Sequence, residues 1–531
     1  MRAIKRSIHF ILFVASITAI CHYLYSWIGF NPTDEGFVLA GARRILDGQF
    51  PLVDFLTLRP PGSAYLHALV VKYGGEQTFY LSRMIFWIQS AIIAWIWVAV
   101  ANKLMKLEII LVYKYMLAAI IFIFNVHNFP PMAWTTVDGL FLASIGIFFI
   151  THFGNNGNQI GYVLLGCAAL CKQNFLVLIP GVFVIMGHFR RPYYILDAFT
   201  PIVSFAFFLW KFDALNIAME QLFSRRELME TGIIQFVKSP SLVAGFLLPL
   251  IINAFRKKYK GFLQHIDFIL VFDLIVLGAA ALIMNVFIGS FSFGLFGFLM
   301  GYTIVHIKRK GVVEYNLLTL LLAWTVAISL GYNTPALASG MLLAALLAIN
   351  YNKEAFSLKR PIKYAISSAV FLFLLFSFHY SRTHFIYKDN AAKELTADLG
   401  VAFYGGQHIK TNTLNQEVFF ELDSLYTRYQ DSLIIAPDYA AFWVTSKYPN
   451  PLNIDWPNRG ETESEWIQCA IEDHLLANEG RFIMAIQKYR ASELYIGKNP
   501  LEDSEIAFPI VSIVKNNFIR VGETEFFYLY R

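Results

Sequence analysis

Charge is scarce in this sequence. Only 15% of its 531 residues are Asp, Glu, Lys or Arg, whereas a soluble domain carries about 25%. Cysteine is scarcer still, at four. Cys21, Cys167 and Cys171 lie in apolar runs, where a thiol behaves as a small hydrophobe. Cys469 has no partner in the polar C-terminal region, so no disulfide framework is expected. Neither Cys-x-x-Cys nor His-Glu-x-x-His spacing occurs, so no metal and no cofactor is expected. The histidines are scattered, and His127 and His408 read as incidental. Internal repeats and low-complexity linkers are also missing. The net charge of +6 does not point to nucleic acid, because the basic residues fall in short clusters between apolar runs.

What the chain has is hydrophobic length. It is 57% hydrophobic, with 50 phenylalanines, and many runs reach the roughly 20 residues needed to cross a hydrocarbon core. The fold class expected is mainly α, a polytopic membrane helical bundle with a C-terminal soluble α/β domain. Arg2, Lys5 and Arg6 precede an apolar run from Ile8 to Phe30. That run is too long for a signal peptide and lacks a small-residue cleavage site, so it reads as an uncleaved first helix with a cytoplasmic N-terminus. Further spans are expected at about 81–102, 110–126, 136–152, 193–211, 241–255, 265–287, 289–307, 316–331, 334–350 and 362–380. The run from Ile160 to Phe189 is interrupted by Lys172-Gln173-Asn174. A lysine at mid-membrane costs about 2.5–3.5 kcal/mol, so two short helices with Lys172 at their outer turn are expected. The total is about thirteen spans.

Orientation follows from the positive-inside rule. Lys103/Lys106, Arg190-Arg191, Arg256-Lys257-Lys258, Lys308-Arg309-Lys310 and Lys359-Arg360 all fall on the cytoplasmic side of this arrangement. Residues 381–531 then end outside. They are polar, with short apolar runs at Leu433–Ala436 and Phe482–Ala485 and strand-like alternation from Phe518 to Tyr530. The division expected is a membrane domain, 1–380, with its first outer loop at 31–80, and a small outer α/β domain, 381–531.

The segment richest in chemistry is Asn31–Leu66, just past the first helix. It carries Asp34-Glu35, Gly48, Asp54-Phe55 and Arg59-Pro60-Pro61-Gly62. One of the two acids can serve as a general base at the membrane surface. Alternatively, Asn31 caps a helix, Pro32 opens it and Asp34 completes a capping box. Adjacent residues on a helix diverge by about 100°, so only one acid can face a given site. Arg59 can clamp a phosphate with its planar fork, or snorkel to lipid headgroups. Asp138, at the outer end of the fourth span, is a costly charge in an apolar helix, or an acid favoured by the helix dipole. Lys172 is likewise a costly charge, of opposite sign, or a lysine that snorkels at the turn between two short helices. Arg225 and Arg226 stand outside, against the positive-inside trend; they can bind an anion or pair with Glu227 and Glu230. Gly331–Pro335 reads as a tight turn.

These residues in this order resemble the GT-C superfamily of membrane glycosyltransferases, which take sugars from polyprenyl-phosphate carriers. The likeness is greatest to the bacterial branch related to protein O-mannosyltransferases and to the transferase that adds aminoarabinose to lipid A. It rests on Asp34-Glu35, Gly48, Asp54-Phe55, Arg59-Pro60-Pro61-Gly62, Asp138 and Lys172, within residues 1–380. The resemblance implies a multi-pass protein of the bacterial cytoplasmic membrane that transfers a sugar, with inversion, to an extracytoplasmic lipid, glycan or protein. It implies Asp34 as catalytic base with Glu35 alongside, Arg59 and Lys172 on the carrier phosphate, and Asp138 organising the site. Arg59 departs from the lysine common before Pro-Pro. The Trp-Trp-Asp-Tyr-Gly motif of oligosaccharyltransferases is absent, which argues against that branch and its metal. A lipid transporter is the alternative, though transporters tend to carry repeated halves, and none is visible here.

Overall fold

The computed structural model describes residues 2–127, 129–223, 238–258, 294, 296–301, 311–327, 336–351, 360–458, 461–462, 464–501 and 508–531. Arg225, Arg226, Lys308–Lys310, the Gly331–Pro335 turn, the whole of the expected span at 265–287 and most of that at 289–307 lie outside these residues.

The chain begins with helix α1 (Arg2–Tyr25), about 36 Å long at 1.5 Å per residue. The stretch after α1 contains α2 (Phe37–Leu46) and α3 (Gly62–Gly74), and α4 (Thr78–Leu104) follows. Next come α5 (Leu111–His127), α6 (Thr135–His152) and α7 (Gly154–Cys171). Then α8 (Leu178–Ile185), α9 (Tyr193–Lys211) and α10 (Leu215–Phe223) complete the first half. Later helices span Pro240–Lys258, Val312–Ala327, Ala336–Tyr351 and Arg360–His384.

Among the described residues, four segments are long and apolar enough to cross a membrane: Ser7–Tyr25, Gly62–Leu104, Thr135–His152 and Tyr193–Lys211. The spans expected at 110–126, 241–255, 316–331 and 334–350 are present as shorter apolar helices. On α9, Leu196, Val203, Phe207 and Trp210 point outward and exposed, which suits lipid rather than water. The run at 160–189 breaks at its lysine. α7 ends at Cys171, Lys172 is extended, and a 3-10 turn over Gln173–Val177 leads into α8.

The C-terminal region holds a four-stranded sheet of β3 (Leu433–Ala436), β4 (Ile483–Gln487), β5 (Arg520–Glu523) and β6 (Phe527–Tyr530), in the order β3-β4-β6-β5. β3 and β4 are parallel and the other pairs antiparallel. β3 is buried along its whole length, as a parallel strand covered on both faces requires. The 31–80 loop does not stand apart from this domain. Phe30, Val38, Leu39 and Phe79 share one apolar core with Phe403, Phe419, Tyr439 and Phe527. Arg44 of α2 is buried against Asp455, its Nε–H shared between the two carboxylate oxygens at 2.8 and 2.9 Å. A smaller ladder of β1 (Ala397–Asp398) and β2 (Lys410–Thr411) reaches back to the end of α1, where Lys410 N donates to Trp27 O at 2.8 Å and Gly29 N donates to Lys410 O at 2.9 Å.

The backbones of loop and domain approach most closely at Gly36. A Cβ there would overlap the backbone of Ala440 and Ala441. Replacing Gly36 with alanine is therefore expected to force the two apart and cost about 1–3 kcal/mol. Thermal unfolding of the purified protein measures this, and an unchanged midpoint would count against the packing described.

Candidate functional site

Asp34 and Glu35 follow one another but point to different places. Both oxygens of Glu35 are taken by Arg83 of α4, at 2.6 and 2.8 Å. Arg83 also donates to the carbonyls of Ser26 and Gly29. Glu35 is thus locked into a buried pair rather than standing beside Asp34. The capping contacts are shared differently from the expectation as well. Asn31 Oδ1 accepts from the N–H of Thr33 and of Asp34, but the long return bond from Asn31 N goes to Glu35, at 3.4 Å.

Asp34 is released from that duty and faces the C-terminal region. Its carboxylate, in a residue 6% exposed, accepts from Asn31 Nδ2 at 2.9 Å, Tyr387 Oη at 3.0 Å and Lys388 Nζ at 2.5 Å. Thr33 Oγ1 adds a longer contact at 3.4 Å. All four converge on Oδ2. Among the described residues Oδ1 receives no protein donor, and it is not sealed from solvent.

Arg59 lies across a pocket lined by Phe37, Thr57, Pro61, Thr135, Trp456 and Glu461, among others. One terminal nitrogen, Nη2, meets Glu461 at 2.9 Å. The other, Nη1, is buried without a protein partner among the described residues. The guanidinium also sits over the Phe37 ring, 4.4 Å from its centroid. Behind Arg59, Gly62 packs so tightly on the end of α7 that a Cβ would strike the Leu170 carbonyl. Gln173 Nε2 donates to Leu58 O at 3.0 Å. These contacts bring the Arg59 turn against the helix break, where buried Lys172 donates to Thr136 Oγ1 at 2.7 Å.

Asp138 is fully buried within the helices. Its Oδ1 meets His67 Nε2 at 3.1 Å and accepts from Gln89 Nε2 at 2.8 Å, while Oδ2 has no partner among the described residues. It therefore joins α3, α4 and α6 from within and does not line the pocket.

Reasoning from sequence missed Tyr387, Lys388, Asp438, Trp456 and Glu461. Asp438 follows β3 at its carboxyl end, the edge where open α/β sheets place ligands, and that signal was available. Trp456 Nε1 donates to Asp438 Oδ1 at 2.7 Å, and Asp438 N donates to Gln487 Oε1. Burial pushes the Asp438 carboxyl up to about 6, against the lowering effect of Trp456, Lys388 and Gln487; the charge of Asp34 adds to the rise. A carboxyl raised from 3.8 keeps in the folded state a proton that the unfolded chain has already released. Stability from this group thus falls as pH climbs from about 4 to about 6 and is level above. Asp438→Asn is expected to remove that slope and add on the order of 3 kcal/mol at pH 7. Unfolding midpoints across pH 4–8 would decide it, with parallel curves for the two proteins as the contrary result.

No protein-family model matches this sequence, and no curated protein matches it. Solved structures do. The crystal structure of ArnT from Cupriavidus metallidurans bound to undecaprenyl phosphate superposes with a TM-score of 0.52 over 98% of this chain and 97% of that one, at 10% identity. The same protein in the apo state gives 0.46 at 9% identity. With nearly the whole of both chains aligned, the protein has the fold of the undecaprenyl phosphate-bound ArnT structure.

Proposed function

We propose that this chain is an integral membrane glycosyltransferase. It moves a sugar from a polyprenyl-phosphate carrier to an extracytoplasmic lipid, glycan or protein acceptor, inverting the anomeric carbon. One observation carries the reading: Asp34 is held through Oδ2 alone, with Oδ1 left for a substrate proton, in the turn that leads into Phe37 of the Arg59 pocket. A general base must meet its proton at hydrogen-bond distance, and a carboxylate with one anchored oxygen and one open oxygen suits that task.

On this reading the acceptor hydroxyl attacks the anomeric carbon as its proton passes to Asp34 Oδ1. The bond from that carbon to the phosphate oxygen breaks, and its electron pair leaves on the phosphate. Lys172 meets the charge that develops there, together with Arg59 through Nη1, which has no protein partner among the described residues. Losing such a cation costs about 2.7–4 kcal/mol of transition-state stabilisation. Phosphate is already a good leaving group, so no second acid is required, unlike in a glycosidase. Glu35 and Asp138 contribute by holding the Asp34 loop and the helices beneath it. Arg225 and Arg226 remain candidates for binding the anionic substrate. A cytoplasmic N-terminus in a bacterial cytoplasmic membrane would open the pocket to the outside, where the acceptor is.

The shared fold supports a lipid-phosphate donor, since the ArnT structure was solved with undecaprenyl phosphate. The test is turnover by the purified protein in lipid nanodiscs, given a panel of polyprenyl-phosphate sugars and candidate acceptors. Transfer or slow hydrolysis of one donor, with inverted product, is expected. A product that keeps the donor's configuration would rule out direct attack. Saturable donor binding without chemistry under every condition would instead favour a transporter.

A further inference from the structure

From the Arg59 guanidinium a chain of contacts that the mechanism above leaves unused runs to Asp438, on the side of Asp34. Arg59 sits over Phe37. Phe37 packs on Trp456, with ring centroids 5.8 Å apart and planes inclined at 40°. Trp456 donates its indole N–H to Asp438, at 2.7 Å. Asp438 in turn lies close enough to Lys388 and Asp34 to feel both charges. Phe37 and Trp456 both line the pocket, and neither is fully buried.

The pair is held from two sides. Phe37 opens α2, whose Arg44 is fixed to Asp455. Trp456 is pinned through Asp438 to the carboxyl end of β3, and Gln487 of β4 steadies the Asp438 backbone. An aromatic surface placed by two separate elements, and facing a pocket, calls for an occupant. The chemistry at its ends limits the choice. A phosphate belongs at the cationic end and an attacking hydroxyl near Asp34, so the group joining them must cross the rings. A sugar ring has a face of C–H groups and a rim of hydroxyls. The face packs on aromatic carbon, while a few polar groups around it accept from the rim.

We infer that Trp456, oriented by Asp438, is the floor of a sugar subsite and takes the ring of the carrier-linked sugar against its indole, with Phe37 beside it. Asp438 acts as a positioning residue through the indole N–H. The inference rests on the glycosyltransferase reading and adds a contribution from the C-terminal region to recognition of the donor.

The experiment compares binding of bare undecaprenyl phosphate with binding of a panel of undecaprenyl-phosphate sugars, by calorimetry on the full chain in nanodiscs. Trp456→Ala is expected to weaken the best sugar-bearing ligand by about tenfold or more, and bare undecaprenyl phosphate by less than about twofold. Trp456→Phe, which keeps an aromatic face, restores most of the difference. Asp438→Asn still accepts from the indole and binds like wild type, whereas Asp438→Ala falls between. Equal weakening of both ligands by Trp456→Ala, or no change in either, overturns the subsite. Failure of the wild-type protein to bind bare undecaprenyl phosphate removes the reading beneath it. The two failures are therefore distinguishable.

Discussion

Asp34→Asn is expected to lower turnover by about 10²–10⁴-fold with donor binding within about twofold of wild type. Asparagine has the shape of aspartate, and its side-chain oxygen can still accept from Tyr387 and Asn31. What it lacks is the ability to take a proton on the open side. The donor's phosphate is assigned to Arg59 and Lys172, which Asp34 does not touch, so loss of the carboxylate falls on the chemical step. Single-turnover kinetics alongside calorimetric donor affinity separate the two effects. Stability is expected to fall only modestly, because the turn is held by Glu35 and by Asn31 Oδ1 and the Lys388 that loses its carboxylate is partly exposed. If the Asp34→Asn protein kept full turnover, the base would have to be another group. The alternatives are poorly placed: Glu35 is closed by Arg83, and Asp138 is sealed within the helices.

Arg59, Lys172 and Asp34 stood out in the sequence as candidates for one physical reason. Each is a charge where charge is expensive, either in an apolar run or at its edge, so each stands out against its surroundings. The helix break at Lys172 followed from the same cost. The strands over Leu433–Ala436 and at the end of the chain were visible as short apolar or alternating runs. What could not be read is which distant residues meet. Tyr387 and Lys388 lie some 350 positions from Asp34 and look like ordinary polar residues after a helix. Trp456 and Glu461 sit in an irregular stretch with no periodicity to mark them. The expected helix would have made Asp34 and Glu35 diverge; they do diverge, but in a turn that precedes α2, and the direction of Glu35 is decided by Arg83. Arg83 itself is a cation in the second turn of an apolar helix, where it reads from sequence only as part of a span. The cost of placing it there was the signal.

That arginine carries the second large effect. Glu35→Ala leaves a guanidinium 3% exposed with its charge unopposed. The backbone carbonyls of Ser26, Ile28 and Gly29 still accept from it, but carbonyls do not neutralise it. Removing one member of a buried pair costs about 3–5 kcal/mol, mostly through the charge left behind. Unfolding midpoints of the single variants Glu35→Ala and Arg83→Met and of the double variant Glu35→Ala/Arg83→Met measure it as a cycle. The double variant is expected to recover part of the loss, since no charge remains buried. Recovery stays incomplete because three carbonyls lose their donor. A Glu35→Ala protein within about 1 kcal/mol of wild type would mean the pair is solvated in the membrane-bound protein and does not hold the loop. The same variant also separates the two acids. Glu35→Ala is expected to lose stability and turnover together, because the turn that aims Asp34 comes free of α4, whereas Asp34→Asn loses turnover with a much smaller loss of stability.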